Sequence, residues 1–100
     1  MELTTTIADA KATIQVVGKL SVATSPELES EVTKLPESIT EFVLDLTDLE
    51  YVSSAGLRVL VMTQKLAARR GGTLTLLNTT DDVQEVLEMT GLADVFDIKR

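Results

Sequence analysis

The stretch Phe42–Val61, FVLDLTDLEYVSSAGLRVLV, constrains what this chain can fold into more than any other. It opens as a nearly unbroken apolar run, Phe42-Val43-Leu44 and then Leu46, which reads as a strand buried on both faces of a parallel sheet. An acidic connection with Asp45, Asp48 and Glu50 leads to Tyr51-Val52. Ser53-Ser54-Ala55-Gly56 then stands where period-two patterning gives way to a helix rich in Leu and Val. Small hydroxyl residues suit such a junction, because a side-chain oxygen at a helix start accepts an orphan backbone N–H. The same geometry leaves a hydroxyl at the positive end of the helix macrodipole, where a phosphate would meet favourable electrostatics.

The flanking segments supply the layers around that strand. Leu3, Thr5 and Ile7 alternate with polar neighbours over Glu2–Ala8, and Ala12, Ile14 and Val16 do so over Ala12–Val17. The turn Asp9-Ala10-Lys11 between them predicts an antiparallel hairpin at one sheet edge. Thr24-Ser25-Pro26-Glu27 has the hydroxyl, proline and early acid of a helix start, and Leu28, Val32 and Leu35 form one apolar stripe before Pro36. The helix after Ser54 carries Leu57, Leu60 and Val61 on one side and Val59, Met62 and Leu66 on another, so it lies largely sunk. Lys65, Arg69 and Arg70 gather at its end, complementing the dipole, and Gly71-Gly72 closes it. Thr73–Leu77 reads as a further strand. Asn78–Asp82 opens a last helix with Val83, Val86, Leu87 and Thr90 on one face, closed by Gly91. Leu92–Ile98 follows as a strand using Val95 and Ile98, or as a packed tail.

Strands alternating with helices predict an α/β fold, residues 1–100 forming a single domain. The sheet is expected to be mixed and mainly parallel, with four to five strands, an antiparallel N-terminal edge strand and packed helices. Right-handed crossovers would align Ser21–Ser25, Tyr51–Gly56 and Asn78–Asp82 on one rim, where open α/β sheets bind ligands.

Composition removes whole classes of function. The chain has no cysteine and no histidine, so disulfides, Cys/His zinc sites and histidine-based catalysis are excluded. A serine nucleophile at Ser54 would need another base, but Lys65 lies three helical turns away, and Gly56 follows too closely for a G-x-S-x-G elbow. The chain is therefore read as no enzyme. Asp45, Asp48 and Glu50 match no metal-binding loop, and neither a metal nor a cofactor is expected. A formal net charge of −7 argues against gripping nucleic acid. No apolar run reaches membrane-spanning length and the N-terminus carries no basic-then-apolar leader, so a cytoplasmic protein without membrane insertion is expected. A monomer is expected, with the exposed edge strand open to weak pairing with a second copy.

VLDLTDLEYVSSAGLRVL resembles the signature region of STAS domains, in particular bacterial anti-sigma factor antagonists: an apolar strand, an acidic-polar connection, then Asp-Ser-[Ser/Thr]-Gly-Leu opening a helix. GKLSVATSPEL resembles the family's segment after the hairpin, RGGTLTLLN its later strand, and VQEVLEMTGLADVFDI its closing helix and tail, so the likeness spans nearly the whole chain. It implies partner switching. The unmodified antagonist binds a serine kinase that doubles as an anti-sigma factor, phosphorylation releases it, and a phosphatase resets it. Aligned on Gly56-Leu57, the phospho-acceptor falls on Ser54, and Ser21, Thr24, Ser53, Ser54, Ala55, Gly56, Leu57 and Arg58 are the implied partner-binding residues. The acid that usually precedes the acceptor is Ser53 here, and the acid common after the hairpin is Ser21. The resemblance also admits a second role: a non-switching adaptor or scaffold subunit, in a lipid-transport complex or a stressosome-like assembly, keeping one partner permanently.

Overall fold

The computed structural model describes residues 1–100. A hairpin comes first: β1 (Glu2–Ala8) and β2 (Lys11–Leu20) pair antiparallel from Glu2↔Val17 to Ala8↔Lys11. Asp9 takes a positive φ of 55° in the two-residue turn, a conformation its short polar side chain tolerates. Helix α1 (Ser25–Thr33) leads to β3 (Glu41–Asp45) and β4 (Leu49–Val52); α2 (Ser54–Arg69), β5 (Thr73–Leu77), α3 (Asp81–Met89) and β6 (Asp97–Lys99) complete the chain. The strand order is β1-β2-β3-β5-β6, with every pairing beyond the hairpin parallel.

The sixth strand, β4, pairs with β2, which is long enough to serve two partners in succession. Lys11–Gln15 pair with β3, and Gly18–Leu20 pair with β4 after a register shift between Gly18 and Lys19. The sheet thus has six strands, more than the four to five the pattern suggested, because Leu49–Val52 looks like connection in sequence yet finds its backbone partners on β2.

Helices lie over one face only. The row Ile14, Leu44 and Leu76 is buried and belongs to the core with Leu28 and Val32 of α1, Leu57 and Leu60 of α2, and Val83 and Leu87 of α3. The next row, Thr6–Thr13–Val43–Thr75–Asp97, faces the other way. Val43 is nonetheless buried, although it lies outside the core cluster. Its burial on the second face is therefore lateral, from the threonines beside it, where the apolar run had suggested a second packed layer.

At the far end, Arg70 does more than complement a dipole. Its guanidinium donates to the carbonyls of Pro36 at 2.8 Å, Ile39 at 3.0 Å and Leu35 at 3.2 Å, and lies 5.5 Å above the Phe42 ring. These bonds tie the end of α2 to the loop that joins α1 to β3. Beside it, Gly72 passes so close to Thr40 that a Cβ would overlap the Thr40 carbonyl. The C-terminal segment also differs from expectation: Val95 is 45% exposed, while Phe96 is buried and anchors the turn before β6.

Two consequences can be measured. Gly72→Ala should destabilise the fold by about 3 kcal/mol or prevent folding, since backbone must move to admit the methyl, and urea unfolding reads this directly. Glu31 accepts from Lys34 and from the Thr5 hydroxyl at 2.5 Å, and these two bonds hold its carboxyl below the ordinary value near 4.5. A lowered folded value means the contribution is complete above the ordinary carboxylate range and is lost as pH falls through the lowered one. Glu31→Gln should therefore lose less stability than the unaltered chain as pH falls from neutrality through the ordinary carboxylate range and below it.

Candidate functional site

The junction between β4 and α2 divides its two serines between opposite tasks. Ser53 is extended, with φ −89° and ψ 173°, and caps the helix: its hydroxyl accepts from the Gly56 N–H at 3.1 Å. Its N–H donates to the Leu20 carbonyl and its own carbonyl accepts from Leu57, both at 2.8 Å. With every polar group of Ser53 engaged and the residue 9% exposed, it is fixed to its own domain. Ser54 is the first helical residue, lies exposed, and its hydroxyl makes no hydrogen bond within the chain. The capping role that a hydroxyl at this junction suggests thus falls to Ser53 and leaves Ser54 free.

Gly56 explains how the helix comes so close. A Cβ there would lie 2.8 Å from Leu20 Cγ and 2.9 Å from the Leu20 carbonyl oxygen. The close approach is to this chain's own β2, and Gly56 is buried, as is Leu57 at 8% exposure. Ala55 is half-buried and Arg58 exposed.

The loop between β2 and α1 lies alongside. Thr24 stands at the N-cap of α1 but its side chain does not cap. Its hydroxyl donates backward to the Lys19 carbonyl at 2.7 Å and accepts from the Ser21 N–H at 2.8 Å, and the Ser21 hydroxyl lies 3.2 Å from it. The Ser21 N–H takes the acceptor position that a helix N–H would use, closing Ser21–Thr24 into a small turn. Ser25 is buried beneath it. At the turn's tip stands Val22, 72% exposed, which sequence reading passed over. An apolar residue inserted in a loop of Ser, Ala and Thr was the available signal. Tyr51, 49% exposed, pairs in register with Lys19 on the neighbouring strands.

The third expected rim segment does not join these two. Asn78–Asp82 packs against the start of β4, where the Thr80 hydroxyl donates to the Leu49 carbonyl at 3.1 Å, some 10 Å along the strand from Val52. The rim is stepped because β4 extends β3's line along β2. This lower step holds an open groove of about 570 Å³ lined by Val17, Thr47, Asp48, Leu49, Glu50, Thr80 and Asp82. Asp45 is occupied locally: its carboxylate accepts from the Thr47 hydroxyl at 2.6 Å and the Thr47 N–H at 3.1 Å. No set of three acids converges as a metal site would require, and no helix is long and apolar enough to cross a membrane.

What the upper step can do chemically is limited and specific. It presents an unengaged serine hydroxyl one helical turn from an unengaged guanidinium, with no acid in the first turn of α2. Ser53→Ala should cost about 1 kcal/mol of stability through loss of the cap, whereas Ser54→Ala should change it by less than about 0.5 kcal/mol; urea unfolding of both variants tests the division of labour.

The family model of the STAS domain matches residues 2–100. Among curated proteins, the anti-sigma-B factor antagonist of Bacillus subtilis is 32% identical over 85 residues, covering 85% of this chain and 78% of that protein. Among solved structures, an anti-sigma factor antagonist from Mycobacterium paratuberculosis superposes with a TM-score of 0.85 at 22% identity, covering 98% of this chain and 84% of that one. The Bacillus cell fate determinant SpoIIAA in its phosphorylated form superposes with a TM-score of 0.77 at 14% identity, covering 99% and 92%. At those identities the two structural likenesses speak for the fold.

Proposed function

The chain belongs to the STAS domain family, and we infer that it is an anti-sigma factor antagonist working by partner switching, with Ser54 as the residue whose phosphorylation exchanges partners. It binds an anti-sigma factor that is also a serine kinase while Ser54 is unmodified, leaves it once Ser54 carries phosphate, and is returned to the binding form by a phosphatase. The protein works in the cytoplasm, residues 1–100 act as one domain, and it performs no catalysis of its own.

One observation carries this reading: of two adjacent serines, Ser53 is consumed by capping α2 while the Ser54 hydroxyl stands exposed and unbonded. A kinase can reach such a group without disturbing the fold. The docking surface then consists of what lies open around it: exposed Ser54 and Arg58 and half-buried Ala55 on α2, with Val22 at the tip of the Ser21–Thr24 turn. Ser53, Gly56 and Leu57 support that surface from beneath.

Phosphorylation adds about −1.5 to −2 charges and three acceptor oxygens. Within the domain the helix N-terminus accommodates them. Across an interface the same group displaces a small hydroxyl, must be desolvated and repels any facing acid. A penalty of about 3 kcal/mol corresponds to roughly a hundredfold loss of affinity, enough to exchange one partner for another.

Ser54→Asp should therefore weaken binding to the cognate anti-sigma kinase roughly a hundredfold, and Ser54→Ala should bind yet take up no phosphate on incubation with ATP and that kinase. Calorimetric titration and intact mass read the two. Phosphate appearing on Ser54→Ala, or unchanged affinity for Ser54→Asp, would sink the assignment.

A further inference from the structure

We propose that Arg58 is an internal latch for the Ser54 phosphate: once Ser54 is modified, the guanidinium folds back one helical turn and pairs with it. The inference rests on the reading of Ser54 as the modified residue and adds how the modified form is held.

Ser54 and Arg58 stand four residues apart on one exposed face of α2, a spacing that puts their Cβ atoms about 6 Å from each other, within reach of an arginine side chain. The order is the favourable one, with the anion nearer the helix N-terminus and the cation one turn later. Arg58 is also unoccupied. Arg70 is held by three carbonyls, and Arg100 by the Thr79 carbonyl and Asp81 at 2.6 Å, whereas Arg58 makes neither a hydrogen bond nor an ion pair. It is the single cation in the first three turns of α2, and the first turn holds no acid to compete for it.

One competitor stands across the interhelix cleft. Glu29 of α1 shares with Arg58, Val59 and Met62 a shallow cleft of about 240 Å³, yet the two side chains form no ion pair. A guanidinium poised between a lone carboxylate and a phosphate of roughly twice its charge, offering three acceptor oxygens for a two-pronged bond, goes to the phosphate. Other charged or titratable groups on adjoining elements are Glu27, Glu31 and Lys34 on and just after α1, the last two paired with each other. Glu50 and Tyr51 stand on β4, and Lys19 and Lys11 on β2, where Lys11 is paired with Glu41. The Ser21–Ser25 loop, whose Ser25 belongs to α1, carries no charge. The latch has a second consequence for partner exchange. It withdraws Arg58 from the docking surface at the moment the phosphate appears, so modification removes a cation from the interface as well as adding an anion.

The experiment uses the full chain with phosphoserine incorporated at position 54 during translation, titrated by phosphorus NMR. A paired cation stabilises the dianion, so Arg58→Gln should raise the second phosphate pKa by roughly half a unit, and Arg58→Lys should recover most of the difference. Arg69→Gln removes the same charge from the far end of the same helix, roughly 20 Å away, and should leave the titration unmoved. An Arg58→Gln titration that coincides with that of the unaltered chain overturns the latch, and so does an Arg69→Gln shift of equal size, which would mark a general field effect. The titration needs no partner. A missing latch with Ser54→Asp still expelling the kinase defeats this inference alone; a present latch with partner affinity unmoved defeats the switching role and leaves the latch standing.

Discussion

The first turn of α2 rests directly on the end of β2, and the rest of the site follows from that contact. Gly56 lies against the Leu20 side chain and carbonyl with no room for a Cβ, and the Ser53 N–H bonds the same carbonyl. With the helix fixed at that distance, its rotation is fixed too, and successive residues turn by about 100°. Ser53 is thereby directed inward to cap and Ser54 outward to solvent. Two chemically identical neighbours acquire opposite fates from a single close approach.

Sequence reading found what depends on period and missed what depends on tertiary competition. The stripe Leu28–Val32–Leu35 is buried where spacing put it, and the N-terminal hairpin forms in the expected antiparallel sense. Of Val83, Val86, Leu87 and Thr90, Val83 and Leu87 are buried, Val86 is half-buried and Thr90 is exposed. Which of two adjacent serines caps was not legible, because it turns on where helical dihedrals begin, a matter of one residue. Thr24 carries the same start signature as Thr80, yet only Thr80, which is extended, caps, accepting from Val83 at 3.4 Å; Thr24 has helical dihedrals and accepts from the Ser21 N–H instead. Strand β4 was hidden because its four residues bury only their first and last, a pattern without alternation. The run Phe42–Leu44 reported burial faithfully but not its source, since lateral cover by threonines and cover by a helix leave the same apolar signal.

Charge is organised with similar economy. Of nine cations in an acidic chain, Arg70 and Arg100 are committed to carbonyls, and Lys11 and Lys34 to glutamates on the surface. The exposed pairs contribute little to stability, but they reduce the cations that an incoming anion would meet. Near Ser54 the field is consequently shaped by few groups, chiefly the helix terminus and Arg58.

Arg70 gives this arrangement a mechanical meaning. It bonds the last turn of α2 to the carbonyls that precede β3, while Leu20 seats the first turn, so the helix is held at both ends. On the reading proposed for Ser54, a charge added at the leading edge would be met locally, by whatever molecule touches that edge.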